Sequence, residues 1–354
     1  RGYLVDDVYD DRLATPFLGF DAFQETDVVG ITQPITKWSY QIRRPEDVAP
    51  AVARAFYIAS TGRPGPVVLD FAKDAQVGLT EFNYKKCDYI RSYIPYPEID
   101  DTDLQRAANI INASERPMIL SGHGVMIANA EKELAEFAEK GDIPVAATLL
   151  GLSTMPSSHR LYKGMLAIIA IGMRFDDRIT GNVKTYAPNA KIIHIDIDSS
   201  EFDKNIATTA TVHGDAREVL KKLIPLIEPK KRTEWLGTFE QPEKVELEKV
   251  IEPAIHPTGE RMTMGEVVNR VSEATGHNAI VVTDVGQNQM LSARYFKYTE
   301  PRSILTSGGL GTMGFGLPAA IGAKIGAPDR SVCFFTGDGG LQMTIQELGT
   351  ILEY

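Results

Sequence analysis

Three segments near the end of the chain combine glycine with acidic or amide side chains: DVGQNQ at 284–289, TSGGLGTMGFGLPAAIGA at 306–323 and TGDGGLQM at 336–343. Mg²⁺ prefers oxygen ligands and is often held by one or two carboxylates together with substrate phosphates. Asp338, after an apolar strand and before glycines and a helix, would place a carboxylate beside free backbone N–H groups. The segments indicate a metal–diphosphate site, although an ordinary Asp-Gly turn or a capped loop also explains single segments.

The elements that must position these segments follow a strand, turn and helix rhythm. Apolar runs predict strands, and apolar residues at helical spacing predict helices. The predicted strands are 67–70, 117–120, 145–149, 166–172, 191–196, 279–283 and 331–335, and the predicted helices are 47–60, 103–112, 128–140 and 265–274. Continuous apolar strands alternating with helices are typical of an α/β fold with parallel sheets covered on both faces.

Two stretches without apolar periodicity predict linkers between domains. Residues 81–101 are rich in Tyr and Pro, and residues 228–260 are dense in Glu, Lys and Pro. The glycine-rich segment 306–323 contains too much glycine for a plain helix, which suggests close approach of its backbone to a bulky group. We therefore predict three α/β domains, at residues 1–90, 91–245 and 246–354.

Composition excludes several classes of function. The net charge of −10 over 354 residues argues against a nucleic-acid partner, since no clustered Lys and Arg are available to neutralise phosphates. The two cysteines, Cys87 and Cys333, imply no disulfide framework. The longest apolar run, Met165–Met173, is far too short to span a membrane. Phosphate-bearing cofactors remain compatible with an acidic chain, because backbone N–H groups and a metal can hold them.

In this order, the three segments resemble the diphosphate-binding domain of thiamin diphosphate enzymes, and specifically the acetohydroxyacid (acetolactate) synthase pattern. GFDAFQETD at Gly19–Asp27 and RFDDRITG at 174–181 resemble the same family, while GRPGPV at 62–67 is shared more widely among carboligases and decarboxylases. The resemblance covers essentially the whole chain. It implies three doubly wound parallel-sheet domains, with the first and last incomplete in this chain, and a central domain that binds FAD.

The resemblance also implies which residues contact each cofactor. Met313 would support the bend of thiamin diphosphate, Asp338 would be a Mg²⁺ ligand, and Lys73, Phe23 and Gln24 would line a substrate entrance between two subunits. The other thiamin diphosphate contacts would be Val285, Gly286, Gln287, Asn288, Gly311, Gly339 and Gly340. The implied FAD contacts are Arg63, Gly122, Gly124, Thr148, Leu149, Arg174, Asp176, Asp196 and Asp215.

Several of these residues have plainer interpretations. Met313 could simply pack in a core, a lone Lys73 is usually a surface residue, and the charges around Arg174 could form a solvated cluster. Gly122-His123-Gly124 lacks the third glycine of a dinucleotide fingerprint. Asn288 stands where the family often has His.

The expected activity is decarboxylation of pyruvate and ligation of the two-carbon unit to a second 2-ketoacid, giving 2-acetolactate or 2-aceto-2-hydroxybutyrate for branched-chain amino acid synthesis. The expected assembly is a homodimer or homotetramer, with a small regulatory subunit as a further partner, in the cytoplasm if the source is bacterial. The alternatives are a truncated, non-catalytic cofactor-binding homologue and a related carboligase or pyruvate oxidase.

The family's catalytic Glu has no counterpart in this sequence, since the candidates Glu25 and Glu46 belong to other parts of the pattern. A flavin-contacting loop near Gly164 and a second Mg²⁺ ligand beyond Tyr354 are also missing. All three gaps fall on cofactor-facing loops, which are commonly mobile. We therefore expect the sequence to hold the ordered parts of a longer, active enzyme.

Overall fold

A computed structural model of the chain describes residues 14–22, 25–164 and 169–353. The chain divides into two compact units, Arg1–Glu98 and Ile99–Tyr354. Within the described residues, the strands form three sheets of two, five and three strands, and every strand pair in them is parallel. This confirms the predicted α/β class, while a further division near residue 245 stays a prediction.

The first unit pairs two parallel strands, β1 (Trp38–Ile42) and β2 (Val67–Phe71). Its helices are α1 (Val28–Thr32), α2 (Val48–Ser60) and α3 (Lys73–Val77). Helix α2 forms because its alanines and Ile58 recur on one face and bury against the strands. The predictions of a helix at 47–60 and a strand at 67–70 are confirmed, whereas β1 was not predicted because only Ile42 in it is fully buried.

The second unit begins with a five-stranded sheet in the order β4-β3-β5-β6-β7. Every residue in the first four of these strands is buried, which explains their continuous apolar runs. The strands are β3 (Ile119–Ser121), β4 (Val145–Ala147), β5 (Ile169–Ile171), β6 (Ile193–Asp196) and β7 (Ala210–His213). The covering helices are α4 (Asp101–Ala113), α5 (His123–Ile127), α6 (Glu131–Gly141), α7 (Asp177–Thr180) and α8 (Ala216–Leu223).

The same unit ends with a three-stranded sheet in the order β10-β8-β9. Its helices, after α8, are α9 (Thr233–Gly237), α10 (Glu240–Glu246), α11 (Glu252–Ile255), α12 (Met264–Ala274), α13 (Gln287–Tyr295), α14 (Gly316–Gly326), α15 (Asp338–Met343) and α16 (Leu348–Glu353). Its strands are β8 (Ile280–Thr283), β9 (Ile304–Thr306) and β10 (Val332–Phe335). Thr283 pairs with both Phe335 and Thr306, so the residues that follow all three strands meet at one edge.

The loop that follows β4 belongs to the packing of both sheets. Its Leu152 lies in the hydrophobic core around β8, together with Val281 and Tyr298. Ser157 and Tyr298 exchange two hydrogen bonds, from Ser157 N to the Tyr298 carbonyl (2.8 Å) and from Tyr298 N to Ser157 Oγ (3.0 Å). The five-stranded and three-stranded sheets are therefore fastened together through this loop.

Most of the predicted elements are present with shifted ends. The expected helix 128–140 corresponds to α6, which the short helix α5 precedes. The expected strand 166–172 overlaps β5, and residues 165–168 lie outside the described part of the chain. The sequence patterns missed β7, α8 and β9. The second half of the glycine-rich segment forms helix α14, so its glycine content does not prevent a helix there. No helix among the described residues is long and apolar enough to cross a membrane.

The prediction of a linker at 228–260 is wrong, because most of this stretch is helical. It forms α9, α10, a π-helical turn at Leu247–Ile251, and α11. Its charged side chains, which suggested a linker, pair across and along the helices, as in Lys163–Glu243 (2.9 Å), Arg294–Glu246 (2.6 Å) and Lys244–Glu248 (3.8 Å). A helix with a charged, paired surface cannot be told from a linker by composition alone.

Arg232 fastens the start of this helical stretch to the five-stranded sheet. Its buried guanidinium donates hydrogen bonds to the carbonyls of Gly141 and Ser114 (3.1 Å to the latter), at the ends of α6 and α4. A cation is favourable at a helix C-terminus, where carbonyls lack partners. The Trp235 indole N–H adds a bond to the Pro117 carbonyl (2.9 Å), so α9 is fixed at two points.

We expect Arg232→Met to lower the free energy of unfolding by about 2–4 kcal/mol, because two helix-end carbonyls would lose their donors. The matched control is Lys231→Met, at the neighbouring exposed position. Urea unfolding followed by circular dichroism measures both. Equal midpoints for the two variants would contradict a capping role for Arg232.

Candidate functional site

The turn after β8 is built on Asp284, which is fully buried. Its carboxylate accepts hydrogen bonds from the N–H groups of Val285 (2.8 Å), Gly314 (3.1 Å to each oxygen) and Gly316 (3.0 Å). Hydrogen bonds to a charged group contribute about 1.5–3 kcal/mol each, and they offset a desolvation cost of several kcal/mol. One carboxylate thus joins the segment after β8 to the glycine-rich loop.

Backbone donors and a buried amide follow this carboxylate. Gly286 has φ +128° and ψ −150°, and α13 begins directly after it. In the described part of the chain, the N–H groups of Gly286, Gln287 and Asn288 have no protein acceptor. The Asn288 side chain is 6% exposed, its Oδ1 has no partner, and its Nδ2 lies 3.7 Å from where a Cβ on Gly337 would be. Free donors at a helix N-terminus suit the oxygens of a diphosphate.

The glycine-rich loop, residues 306–316 from the end of β9 to the start of α14, places Met313 at the same edge. Met313 is 44% exposed, and its Cε lies 3.2 Å from the position a Cβ on Gly339 would take. The loop is held internally by a bond from Thr312 N to Ser307 Oγ (3.0 Å). The interpretation of Met313 as a core residue therefore does not fit, because its side chain is half exposed beside the third segment.

The third segment begins helix α15 at Asp338, whose carboxylate is exposed. Two residues later, a Cβ on Gly340 would lie 2.5 Å from Asp284 Oδ1, so only glycine fits there. Within residues 14–22, 25–164 and 169–353, no group of three or more His, Cys, Asp or Glu could enclose a metal. A lone exposed carboxylate beside free N–H donors is compatible with Mg²⁺ bound together with phosphate oxygens, and not with an all-protein metal cage.

Hydroxyl and amide groups connect the ends of β8 and β9. Thr283 Oγ1 and Thr306 Oγ1 are 2.7 Å apart and buried, and Gln289 Nε2 donates to Thr306 Oγ1 (2.6 Å). On the other side of the loop, Thr344 Oγ1 donates to the Gly314 carbonyl (3.0 Å). The three predicted segments therefore meet, and the glycine-rich loop is held by side chains of the segment after β8 and by Thr344, directly after the third segment.

The carboxyl edges of the five-stranded and three-stranded sheets approach each other at the glycine-rich loop. A Cβ on Gly308 would lie 2.8 Å from the Leu150 side chain, and one on Gly309 would lie 4.0 Å from Arg174 Nη2. Leu150 belongs to the turn after β4, and Arg174 follows β5. The two predicted cofactor edges are thus neighbours within one compact unit.

The residues of the second unit predicted to contact FAD all lie at the carboxyl end of the five-stranded sheet. They follow or end five different strands: Gly122 and Gly124 after β3, Thr148 and Leu149 after β4, Arg174 and Asp176 after β5, Asp196 at the end of β6, and Asp215 after β7. The chain moves from β3 to β4 on one side and then to β5 on the other. This reversal is the usual place for a ligand in an open α/β sheet.

Packing alone accounts for the two glycines after β3. A Cβ on Gly122 would lie 2.3 Å from the Gly172 carbonyl oxygen, and one on Gly124 would lie 2.6 Å from Gly172 Cα. Gly124 N also donates to the Gly172 carbonyl (2.9 Å). The turns after β3 and β5 touch here, so glycine is required whether or not a cofactor binds.

Three other members of this set cap local turns. Thr148 Oγ1 accepts from Gly151 N (3.1 Å), and Asp176 accepts from Arg178 N (3.1 Å) at the start of α7. Asp215 accepts from two N–H groups at the start of α8, and burial raises the pKa of its carboxyl. Arg174 Nη2 lies 3.5 Å from Asp176 Oδ2, and both side chains are partly exposed, which agrees with the alternative of a solvated charge cluster.

The predicted site residues of the first unit are described only in part. Arg63 lies after α2, Lys73 begins α3, and both are exposed. Phe23 and Gln24 lie outside the described residues. The predictions for these four residues stay predictions.

Sequence reasoning did not identify Asp284, Thr306 or Thr344 as part of the site. Asp284 stands at the head of the quoted segment DVGQNQ, directly after an apolar strand, and that position was the available signal. A buried acceptor and a surface turn residue look the same in the sequence, because two of the groups that donate to Asp284 come from 30 and 32 residues away.

We expect Gly286→Ala to reduce stability by about 1–3 kcal/mol, because its φ and ψ lie in a region essentially restricted to glycine. The control is Gly322→Ala within α14, where a Cβ would have nothing within 4 Å and should leave stability unchanged or slightly higher. Thermal unfolding compares the two. Equal melting temperatures would show that the turn after β8 accepts an ordinary residue.

Comparison with known proteins assigns these two sheets to one family. Residues 104–223 match the thiamine pyrophosphate enzyme central domain, and residues 284–354 match the thiamine pyrophosphate enzyme C-terminal TPP binding domain. The second range contains all three segments of the candidate site.

Curated relatives match almost the entire chain. An acetolactate synthase large subunit from Buchnera aphidicola is 38% identical, over 98% of this chain and 64% of its own length. The large subunits of Escherichia coli acetolactate synthase isozymes 1 and 3 are 40% and 36% identical, over 97% and 98% of this chain. The chain spans 62–64% of the length of these relatives. It therefore belongs to the thiamine pyrophosphate enzyme family, and it is similar along almost its whole length to acetolactate synthase large subunits.

Proposed function

We propose that the protein is the catalytic subunit of an acetolactate synthase. It would join the two-carbon unit of decarboxylated pyruvate to a second 2-ketoacid, giving 2-acetolactate or 2-aceto-2-hydroxybutyrate. The observation that carries the proposal is the meeting of DVGQNQ, the glycine-rich loop and GDGG at one sheet edge, in a chain related to proteins of that name.

The diphosphate of thiamin diphosphate would bind to the turn after β8. Gly286, Gln287 and Asn288 offer N–H groups that have no protein acceptor among the described residues, and Val285 lies beside them. The Asn288 amide is buried and has an unpartnered oxygen, which indicates that its side chain takes its remaining hydrogen bonds from a ligand. When bound, thiamin diphosphate supplies an electron sink for decarboxylation.

Asp338 would hold Mg²⁺ against the diphosphate, with Gly339 and Gly340 leaving room for its oxygens. Its carboxylate is exposed at the start of α15, beside the turn that carries the free N–H groups. Met313, half exposed and reaching toward Gly339, would support the cofactor with an apolar surface, and Gly311 would let the loop pass close to it. Lys73, Phe23 and Gln24 would admit the 2-ketoacid.

Product analysis tests the function. The full-length gene product, given pyruvate, thiamin diphosphate and Mg²⁺, should form acetolactate, and Asp338→Asn should need about 10-fold or more additional Mg²⁺ for half-maximal activity, since a neutral amide binds the cation more weakly. Asp329→Asn, an exposed position before β10, is the control. Acetyl phosphate or hydrogen peroxide in place of acetolactate would indicate a pyruvate oxidase, and no product would favour a non-catalytic homologue.

We further propose that the five-stranded sheet binds FAD at its carboxyl edge. Gly122 and Gly124 do not carry this proposal, because packing on Gly172 already requires them. Its support is the position of Arg174 shortly after β5, beside the point where the strand order reverses. Asp196 and Asp215 lie at the same carboxyl edge, at the end of β6 and after the outer strand β7. Thr148, Leu149 and Asp176 would complete this edge, and Arg63 is proposed as a further flavin contact on the family pattern of GRPGPV alone.

We expect the purified protein to carry a flavin absorption spectrum, and Arg174→Ala to lower its flavin content severalfold without lowering the melting temperature. The guanidinium is partly exposed, so its loss should cost little stability. Arg178→Ala, four residues later and more exposed, is the matched control. Equal flavin content in the two variants would show that Arg174 does not contribute to flavin binding.

The relatives are named large subunits, which is the basis for proposing a small regulatory subunit as a partner. We also propose assembly as a homodimer or homotetramer. Size-exclusion chromatography with light scattering, with and without a candidate small subunit, measures both.

A further inference from the structure

We propose that Asp284 is a positioning residue that holds the glycine-rich loop, and with it Met313, in place for the cofactor. This inference rests on the proposed binding of thiamin diphosphate. Asp284 would act only through the backbone of the loop and would not touch the cofactor.

The loop has few side chains of its own with which to pack. Leu310 is almost fully exposed, Met313 is half exposed, Phe315 near the end of the loop is partly buried, and the remaining positions are largely glycine. A segment of this composition gains little from apolar burial, and glycine loses the most conformational freedom on ordering. Its position is therefore set largely by hydrogen bonds to its backbone.

Asp284 supplies the bonds nearest to Met313. The N–H of Gly314, the next residue, lies 3.1 Å from both carboxylate oxygens, and Gly316 N lies 3.0 Å from Oδ2. The carboxylate is fully buried, and no Lys, Arg or His nitrogen in the described part of the chain lies within 4.0 Å of it. Its charge is thus stabilised chiefly by backbone N–H groups, two of them from the loop.

The third segment closes around the same carboxylate. A Cβ on Gly340 would lie 2.5 Å from Asp284 Oδ1, while Thr344 Oγ1 holds the Gly314 carbonyl from the other side. Gly314 is therefore fixed at its N–H by the segment after β8 and at its carbonyl by the segment after β10. This arrangement sets the distance between Met313 and Gly339.

The test is Asp284→Asn, which keeps the shape of the side chain but removes the charge and one acceptor oxygen. Hydrogen exchange of the cofactor-free protein should be about 10-fold faster or more at residues 312–316, and the Kd for thiamin diphosphate with Mg²⁺, measured by calorimetry, should rise about 10-fold or more. The matched control is Asp142→Asn, another buried carboxylate, which accepts hydrogen bonds from Arg232 N and Arg160. It should lower stability while leaving both readouts unchanged.

Unchanged exchange in Asp284→Asn would overturn the proposal, and so would faster exchange with an unchanged Kd. If the wild-type protein does not bind thiamin diphosphate, the proposed function is wrong, and so is the role of Asp284 in binding that cofactor. If the wild-type protein does bind it, the results for Asp284→Asn test the role of Asp284 alone. If Asp284→Asn does not fold, Gly340→Ala takes its place, because the added Cβ displaces the carboxylate from Gly314. It should give the same faster exchange at 312–316, and normal exchange would overturn the proposal.

Discussion

The buried carboxylate of Asp284 and the backbone N–H groups around it are the interaction on which the candidate site depends. The carboxylate reaches into the glycine-rich loop through Gly314 and Gly316, and it leaves space only for glycine at position 340. A buried charge is costly unless its hydrogen-bonding capacity is filled, so the arrangement is stable only when the donors are in place. The charge thereby makes the three segments interdependent, although they are distant in the sequence.

The second constraint is the fastening of the two sheets of the larger unit. The loop after β4 contributes Leu152 to the core of the three-stranded sheet, and the Leu150 side chain packs against Gly308. Arg174, at the edge of the five-stranded sheet, lies close to Gly309. The proposed flavin edge and the proposed thiamin diphosphate edge therefore share the glycine-rich loop as their boundary.

The sequence predicts elements well where burial is uniform along them. Strands β3, β5, β6 and β8 read as apolar runs because both faces of a parallel sheet are covered. Prediction failed where burial was mixed or charge dominated. β1 has partly exposed positions, and the Glu- and Lys-rich stretch is helical because its charges pair with partners such as Arg294, distant in the sequence. Composition carries no information about those partners.

The amino-acid sequence by itself determined the α/β class, the three segments of the site and the family to which they belong. These depend on local patterns, namely apolar runs, glycine positions and a carboxylate after a strand. The tertiary structure decided why particular residues are there. It assigned Gly122 and Gly124 to packing against Gly172, excluded the alternative that Met313 is a core residue, and showed the hydrogen bonds from the loop to Asp284. These roles depend on contacts between segments far apart in the chain, and only the packing of parallel strands brings such segments together.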